Sequence, residues 1–109
     1  MKTQTAVTSL SALAQASRLN VFRLLIQAGA EGLPAGKISE VTGIVPSALS
    51  FHLKELNHAG WVSSESVGRF VIYRANTELM QDLIDFLTEN CCGGLSCAVV
   101  DDVLCEEMK

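Results

Sequence analysis

No cysteine occurs in the first 90 residues of this 109-residue chain, and histidine is limited to His52 and His58. Long apolar runs are missing too. The longest unbroken aliphatic or aromatic stretch is residues 70–73, far short of the ~20 residues that span a bilayer. Residues 1–5 carry a charge but lead into no apolar segment, so no secretory signal is expected and the chain reads as cytosolic. There is no cofactor fingerprint, no pair of carboxylates placed for acid–base work and no triad grouping, which argues against an enzyme. Internal repeats and low-complexity segments are also absent. What the chain does have is 49% apolar residues, enough to exclude disorder by composition and to build one modest core in a single domain.

The formal net charge of −4 argues against a polyanion partner, but the charge is unevenly spread. Residues 17–76 hold six Lys/Arg (Arg18, Arg23, Lys37, Lys54, Arg69, Arg74) against four Glu, whereas residues 77–109 hold eight acids and only Lys109. A mildly basic middle followed by an acidic tail permits a nucleic-acid partner for the middle.

Hydrophobic spacing gives the element order. Leu10, Leu13 and Ala14 predict a short first helix. Ser17 is expected to cap a second helix over residues 18–28, with Val21, Phe22, Leu25 and Ile26 inward and Gly29 as its stop. A break at residues 32–36 precedes a short helix over about 37–42, ending at Gly43. Pro46 fits the first turn of the next helix, residues 46–59, which Gly60 ends. Its Leu49, Leu53 and Leu56 face inward, while Ser47, Ser50, Phe51, Lys54 and His58 share the opposite side. Two short β segments, 61–64 and 70–74, are joined through residues 65–69 with Gly68 available for a positive φ. Asn76 or Thr77 then caps a last helix over 78–90, with Leu79, Met80, Leu83, Ile84 and Leu87 as its stripe. The order α-α-α-α-β-β-α describes a mainly α fold with a β-hairpin wing, a winged helix-turn-helix.

In such a fold the helix over 46–59 is the candidate DNA reader. Ser47 and Ser50 are short hydrogen-bonding residues suited to base edges or phosphates, and Lys54 suits a phosphate. The Phe51 ring suits a thymine methyl, or else packs on a neighbouring element. His52 is expected to be half-buried and hydrogen-bonded. Arg69, at the hairpin tip, is placed for a backbone or minor-groove contact, and Arg18 and Arg23 read as surface charges. Ser17-Arg18-Leu19, the run Ser47-Ala48-Leu49-Ser50-Phe51-His52-Leu53-Lys54-Glu55-Leu56, and Ala59-Gly60-Trp61-Val62 together resemble the ArsR/SmtB family of metal-responsive repressors over roughly residues 8–90. The resemblance implies a homodimer joined through the first and last helices, which places Leu10, Leu13, Leu79, Leu83 and Leu87 at the interface. It also implies a palindromic double-stranded operator, released when an inducer binds.

All four cysteines (Cys91, Cys92, Cys97, Cys105) fall in the last nineteen residues. In a reducing compartment such a cluster suggests metal or redox chemistry more than structural disulfides. The helix before the reader contains no thiol, and the last helix offers Asp82, Asp85 and Glu89 but no histidine, so two sensor positions used in the family lack their ligands here; those acids read as a solvated face. Cys91-Cys92-Gly93-Gly94-Leu95-Ser96-Cys97 resembles the C-terminal site of arsenite sensors, which implies Cys91, Cys92 and Cys97 as ligands of As(III), with Sb(III) as a second inducer. Three thiols without a nearby histidine suit a soft trivalent ion, and the paired glycines let the chain fold back. Zinc, cadmium or Cu(I), and a thiol redox or sulfide switch, are the competing chemistries. Cys105 has no assigned role. The chain divides on this reading into a DNA-binding and dimerisation domain, residues 1–90, and an inducer-binding tail, residues 91–109.

Overall fold

The computed structural model describes residues 1–94; the expectations placed on Cys97 and Cys105 lie outside them. Two helices open the fold, α1 (Thr3–Leu13) and α2 (Ala16–Ala28). A single 3-10 turn, Gly29–Glu31, leads into strand β1 (Leu33–Pro34). Then come α3 (Ala35–Thr42), α4 (Pro46–Ala59), strands β2 (Val62–Val67) and β3 (Phe70–Ala75), α5 (Thr77–Leu87) and a four-residue α6 (Cys91–Gly94). The expected mainly helical fold with a hairpin wing is what forms, with a third strand added.

That strand is β1, in the stretch the sequence marks only as a break. It pairs antiparallel with β3, Leu33 opposite Tyr73 and Pro34 opposite Ile72, giving the sheet order β1-β3-β2. A proline lacks a ladder donor and is tolerated on such an edge strand. Gly32 sets the approach. Its φ is +66°, and a Cβ there would lie 2.5 Å from the Tyr73 carbonyl oxygen, so no other residue lets the loop reach the sheet. The hairpin also differs from expectation. Its ladder runs from Val62 opposite Ala75 to Val67 opposite Phe70, so only Gly68 and Arg69 form the turn. Residues 63–70 are all exposed, and without a buried face the polar run Ser64-Glu65-Ser66 shows no alternation from which a strand is read.

α2 begins two residues before its predicted start. Gln15, not Ser17, is the cap, and its side chain accepts from the Arg18 N–H at 2.9 Å. α4 has its predicted bounds, with Pro46 in the first turn and Gly60 left-handed at its end. Between α3 and α4 the turn is held by side chains. Ser39 Oγ donates to the Ile44 carbonyl at 2.5 Å, and Thr42 Oγ1 donates to Ile38 and accepts from the Ile44 N–H. This fixes the angle between the two helices of the helix-turn-helix.

The core joins Ala6 of α1, Val21, Phe22 and Leu25 of α2, Ile38 of α3, Leu49, Leu53 and Leu56 of α4, Trp61 and Val62 at the wing root, and Leu83 of α5. Trp61 is 1% exposed. Its ring meets Phe22 edge-on at 5.2 Å, and its Nε1 donates to the Ser9 carbonyl at 2.6 Å. One side chain thus ties α1, α2 and the wing root together.

Two stability outcomes follow. Trp61→Phe leaves a void and removes the indole donor; the expected loss is about 2–4 kcal/mol by urea denaturation. Gly32→Ala combines a strained φ with a backbone collision and is expected to cost about 2 kcal/mol or more, read the same way.

Candidate nucleic-acid interface and thiol segment

The outward side of α4 carries four of the predicted contact residues. Ser47, Ser50, Phe51 and Lys54 are exposed, while Leu49, Leu53 and Leu56 on the opposite side are buried. This follows from the 3.6-residue period acting on a leucine stripe. Ser50 and Lys54 line a cleft of about 360 Å³ between α3, α4 and β3, together with Asn57, His58 and Tyr73 and the apolar Ala35 and Leu53. Five of these seven side chains can donate a hydrogen bond, and the Lys54 ammonium supplies a positive charge. Such a cleft suits a backbone phosphate. Asn57 and Tyr73 were not predicted; the pairing of β3 in the sheet brings Tyr73 beside α4, and no local sequence pattern reports that. Arg69 stands apart from this cluster, exposed in the hairpin turn. Phe70 beside it is 62% exposed, so the tip carries an apolar ring next to its cation.

Phe51 is 53% exposed and does not fold back into the core. Its ring lies edge-on to His52, with centroids 6.0 Å apart, and the Arg18 guanidinium carbon sits 5.5 Å from its centroid. His52 is half-buried, as expected, and its Nδ1 accepts from Arg18 Nε at 3.2 Å. Arg18 also donates through Nη1 to the Ala12 carbonyl at 3.4 Å. The reading of Arg18 as a surface charge is therefore corrected: it is half-buried and spans three helices. The start of α2 sits beside α4, a tertiary fact that the spacing within α2 does not carry. Arg23 is exposed, as expected.

At the far end of α4, Asn76 makes the connection to α5. Its Oδ1 accepts from the N–H groups of Glu78 and Leu79, capping α5. Its Nδ2 donates to the Gly60 carbonyl at 2.8 Å, and its backbone N–H donates to Trp61 O at 2.8 Å. One residue thus starts α5 and grips the end of α4.

α5 presents Ile84 and Leu87 to solvent, Leu87 at 63% exposure, and α1 presents Val7 and Leu10. Leu13 and Leu79 are partly buried against the core, and Leu83, expected at an interface, is instead 7% exposed in the core of the chain itself. Asp82, Asp85 and Glu89 are exposed, the solvated face expected of them. The thiols do not continue α5 as the sequence suggests. That helix stops at Leu87, Thr88 bonds back to the Ile84 carbonyl through both Oγ1 and N–H, and Asn90 adopts φ +57°. α6 then starts at Cys91, whose N–H donates to Thr88 O at 3.0 Å. Cys91 is half-buried and disulfide-bonded, and Gly93 bends the chain with φ +73°. Among the described residues no group of three or more metal-ligating side chains is gathered, and no helix is long and apolar enough to cross a membrane.

Comparison with known proteins agrees with this geometry. A helix-turn-helix domain family matches residues 13–63, the span from the end of α1 to the wing root. An ArsR-like transcriptional regulator from Rhodococcus sp. RHA1 shares the fold at a TM-score of 0.69, with 24% identity over 77% of this chain and 76% of that one. HlyU from Vibrio cholerae N16961 is 30% identical, with a TM-score of 0.63, over 80% of this chain and 97% of its own. A possible transcriptional regulator for arsenical resistance is 26% identical, with a TM-score of 0.64, over 72% of this chain and 79% of that one.

Lys54→Ala tests the cleft. It is expected to weaken binding to any duplex and to make the slope of log affinity against log salt shallower by about 0.9, the loss of one phosphate contact; titration by fluorescence anisotropy at several salt concentrations reads both. The helix-turn-helix match, the wing, and the relatives that share them over most of their length lead to one assignment: the chain belongs to the ArsR family of winged helix-turn-helix proteins and is a DNA-binding transcriptional regulator, not an enzyme.

Proposed function

We propose that this regulator is a homodimeric repressor that lets go of a palindromic operator when Cys91, Cys92 and Cys97 capture As(III) or Sb(III). Ser47, Ser50, Phe51 and Lys54 of α4 would contact the operator, and Arg69 of the wing would reach the neighbouring backbone or minor groove. The exposed Val7 and Leu10 of α1 and Ile84 and Leu87 of α5 supply apolar surface for a second copy, with Leu13 and Leu79 at its edge.

The observation that carries the inducer reading is the position of the thiol pair. Cys91 is only four residues past Leu87 and is bonded through its N–H to the turn that ends α5. Three thiolates suit the pyramidal As(III) ion, and the similarity to a possible regulator for arsenical resistance points the same way. With the Cys91 disulfide reduced to thiols, which takes two electrons and two protons from a cellular dithiol, gathering the thiolates would pull on the Thr88–Cys91 turn and so on α5. Asn76, at the other end of α5, holds the Gly60 carbonyl, and α4 ends there. A displacement of α5 in a dimer would then change the spacing of the two α4 helices. A coupling of ~1–3 kcal/mol between sites is typical and shifts operator occupancy several-fold or more.

A second reading is favoured by one observation, the disulfide at Cys91. Here Cys91 and a second cysteine would lose two protons and two electrons to an oxidant, a peroxide or a polysulfide, and the new S–S bond would displace the same turn.

Cys91→Ser, Cys92→Ser and Cys97→Ser are each expected to keep duplex affinity and to lose release by arsenite, measured by anisotropy with fully reduced protein. Full release from any one of them removes that cysteine from the ligand set. Release of the wild type by oxidant, with none by arsenite, establishes the second reading instead.

A further inference from the structure

We propose that Arg18, although it lies outside the reading helix, is a positioning residue for sequence discrimination: it holds the Phe51 ring in the orientation that meets the base edges. The inference rests on the reading of α4 as the helix that enters the groove.

Phe51 is the only large apolar side chain on the outward side of α4, and it is more than half exposed. A phenyl ring in that position has little to fix its rotamer. Its neighbours across the surface are His52 and Arg18. Arg18 is itself fixed twice, by the Ala12 carbonyl at the end of α1 and by His52 Nδ1 on α4. The guanidinium therefore stands as a rigid, planar, charged support beside the ring, anchored to two other helices. A cation near an aromatic ring favours one ring orientation, and a side chain held in its bound orientation loses less entropy on docking. What the ring would meet in the groove is a thymine methyl, an apolar contact that separates T·A pairs from the others. The Arg18–His52 bond also ties α4 to α2 on the DNA-facing edge, limiting rotation of the reading helix about its own axis.

Lysine does not substitute in this role. Its ammonium is a point charge without the fork that lets Arg18 reach Ala12 and His52 while lying beside Phe51. This separates positioning from a direct phosphate contact, for which charge alone serves. The experiment compares wild type, Arg18→Lys and Arg18→Gln on two duplexes of equal length: the DNA upstream of the protein's own gene and a scrambled version of it. Both variants are expected to lose about tenfold in the ratio of the two affinities, with scrambled-duplex affinity and salt slope close to wild type and a melting temperature lowered by a few degrees through the lost bonds to Ala12 and His52. A cycle with Phe51→Leu is expected to be non-additive by at least about threefold in upstream-DNA affinity. Full discrimination by Arg18→Lys, or a salt slope reduced by about 0.9 with equal weakening on both duplexes in Arg18→Gln, makes Arg18 a phosphate contact and overturns the proposal. An additive cycle also overturns it. If Arg18→Gln fails to fold, Arg18→Lys and its cycle decide. If the wild type does not distinguish the two duplexes, the reading of α4 fails rather than the role of Arg18.

Discussion

The fold depends on where the indole of Trp61 can go. It is almost fully buried at the wing root, edge-on to Phe22 of α2, with its N–H on the Ser9 carbonyl of α1. A buried indole needs both a close-packed surround and a hydrogen-bond acceptor, and few places in so small a core offer both. Once it is seated there, α1 and α2 are fixed relative to the sheet. Trp61's own backbone is engaged as well: its N–H donates to the Leu56 carbonyl of α4, and its carbonyl accepts from Asn76. The end of α4, the root of the wing and the cap of α5 are therefore all joined at Trp61.

This junction gives the molecule its mechanical character. α4 is held by residues of other elements at two points, by Asn76 at its C-terminal end and by Arg18 near its middle, through His52. Neither residue is on α4. A regulator of this design does not need to unfold anything in order to change its DNA affinity. On the function proposed above, a small displacement of α5 would be passed to the end of α4 by the Asn76–Gly60 hydrogen bond, while the packed core resists gradual deformation.

The break between α5 and the thiol segment matters for the same reason. A continuous helix would make Cys91 a rigid extension of α5. Instead Thr88 closes α5 on itself, Asn90 turns the chain with a positive φ, and Cys91 starts a new element still bonded to that turn. A tether bent in this way lets thiol chemistry occur without requiring α5 to bend, yet keeps the two in contact through the Cys91–Thr88 hydrogen bond.

Where the physics is local, the sequence by itself determined the outcome. The leucine stripe and Pro46 fixed α4 and its outward face, glycines fixed the helix ends, and His52 was placed half-buried from its position between the two sides. The cysteine cluster and the recognition-helix motif were legible for the same reason, since both are short patterns with chemistry in them. Only the tertiary structure decided the rest. β1 exists because β3 offers it an edge and Gly32 lets the chain come close, and Pro34 hid it from any propensity argument. Arg18 became part of the candidate interface because α2 packs beside α4, a contact 34 residues apart in sequence. Leu83 and Leu87 lie on one apolar stripe but have different environments, one in the core and one in solvent. Periodicity reports which residues share a helix face, and packing alone decides what that face meets.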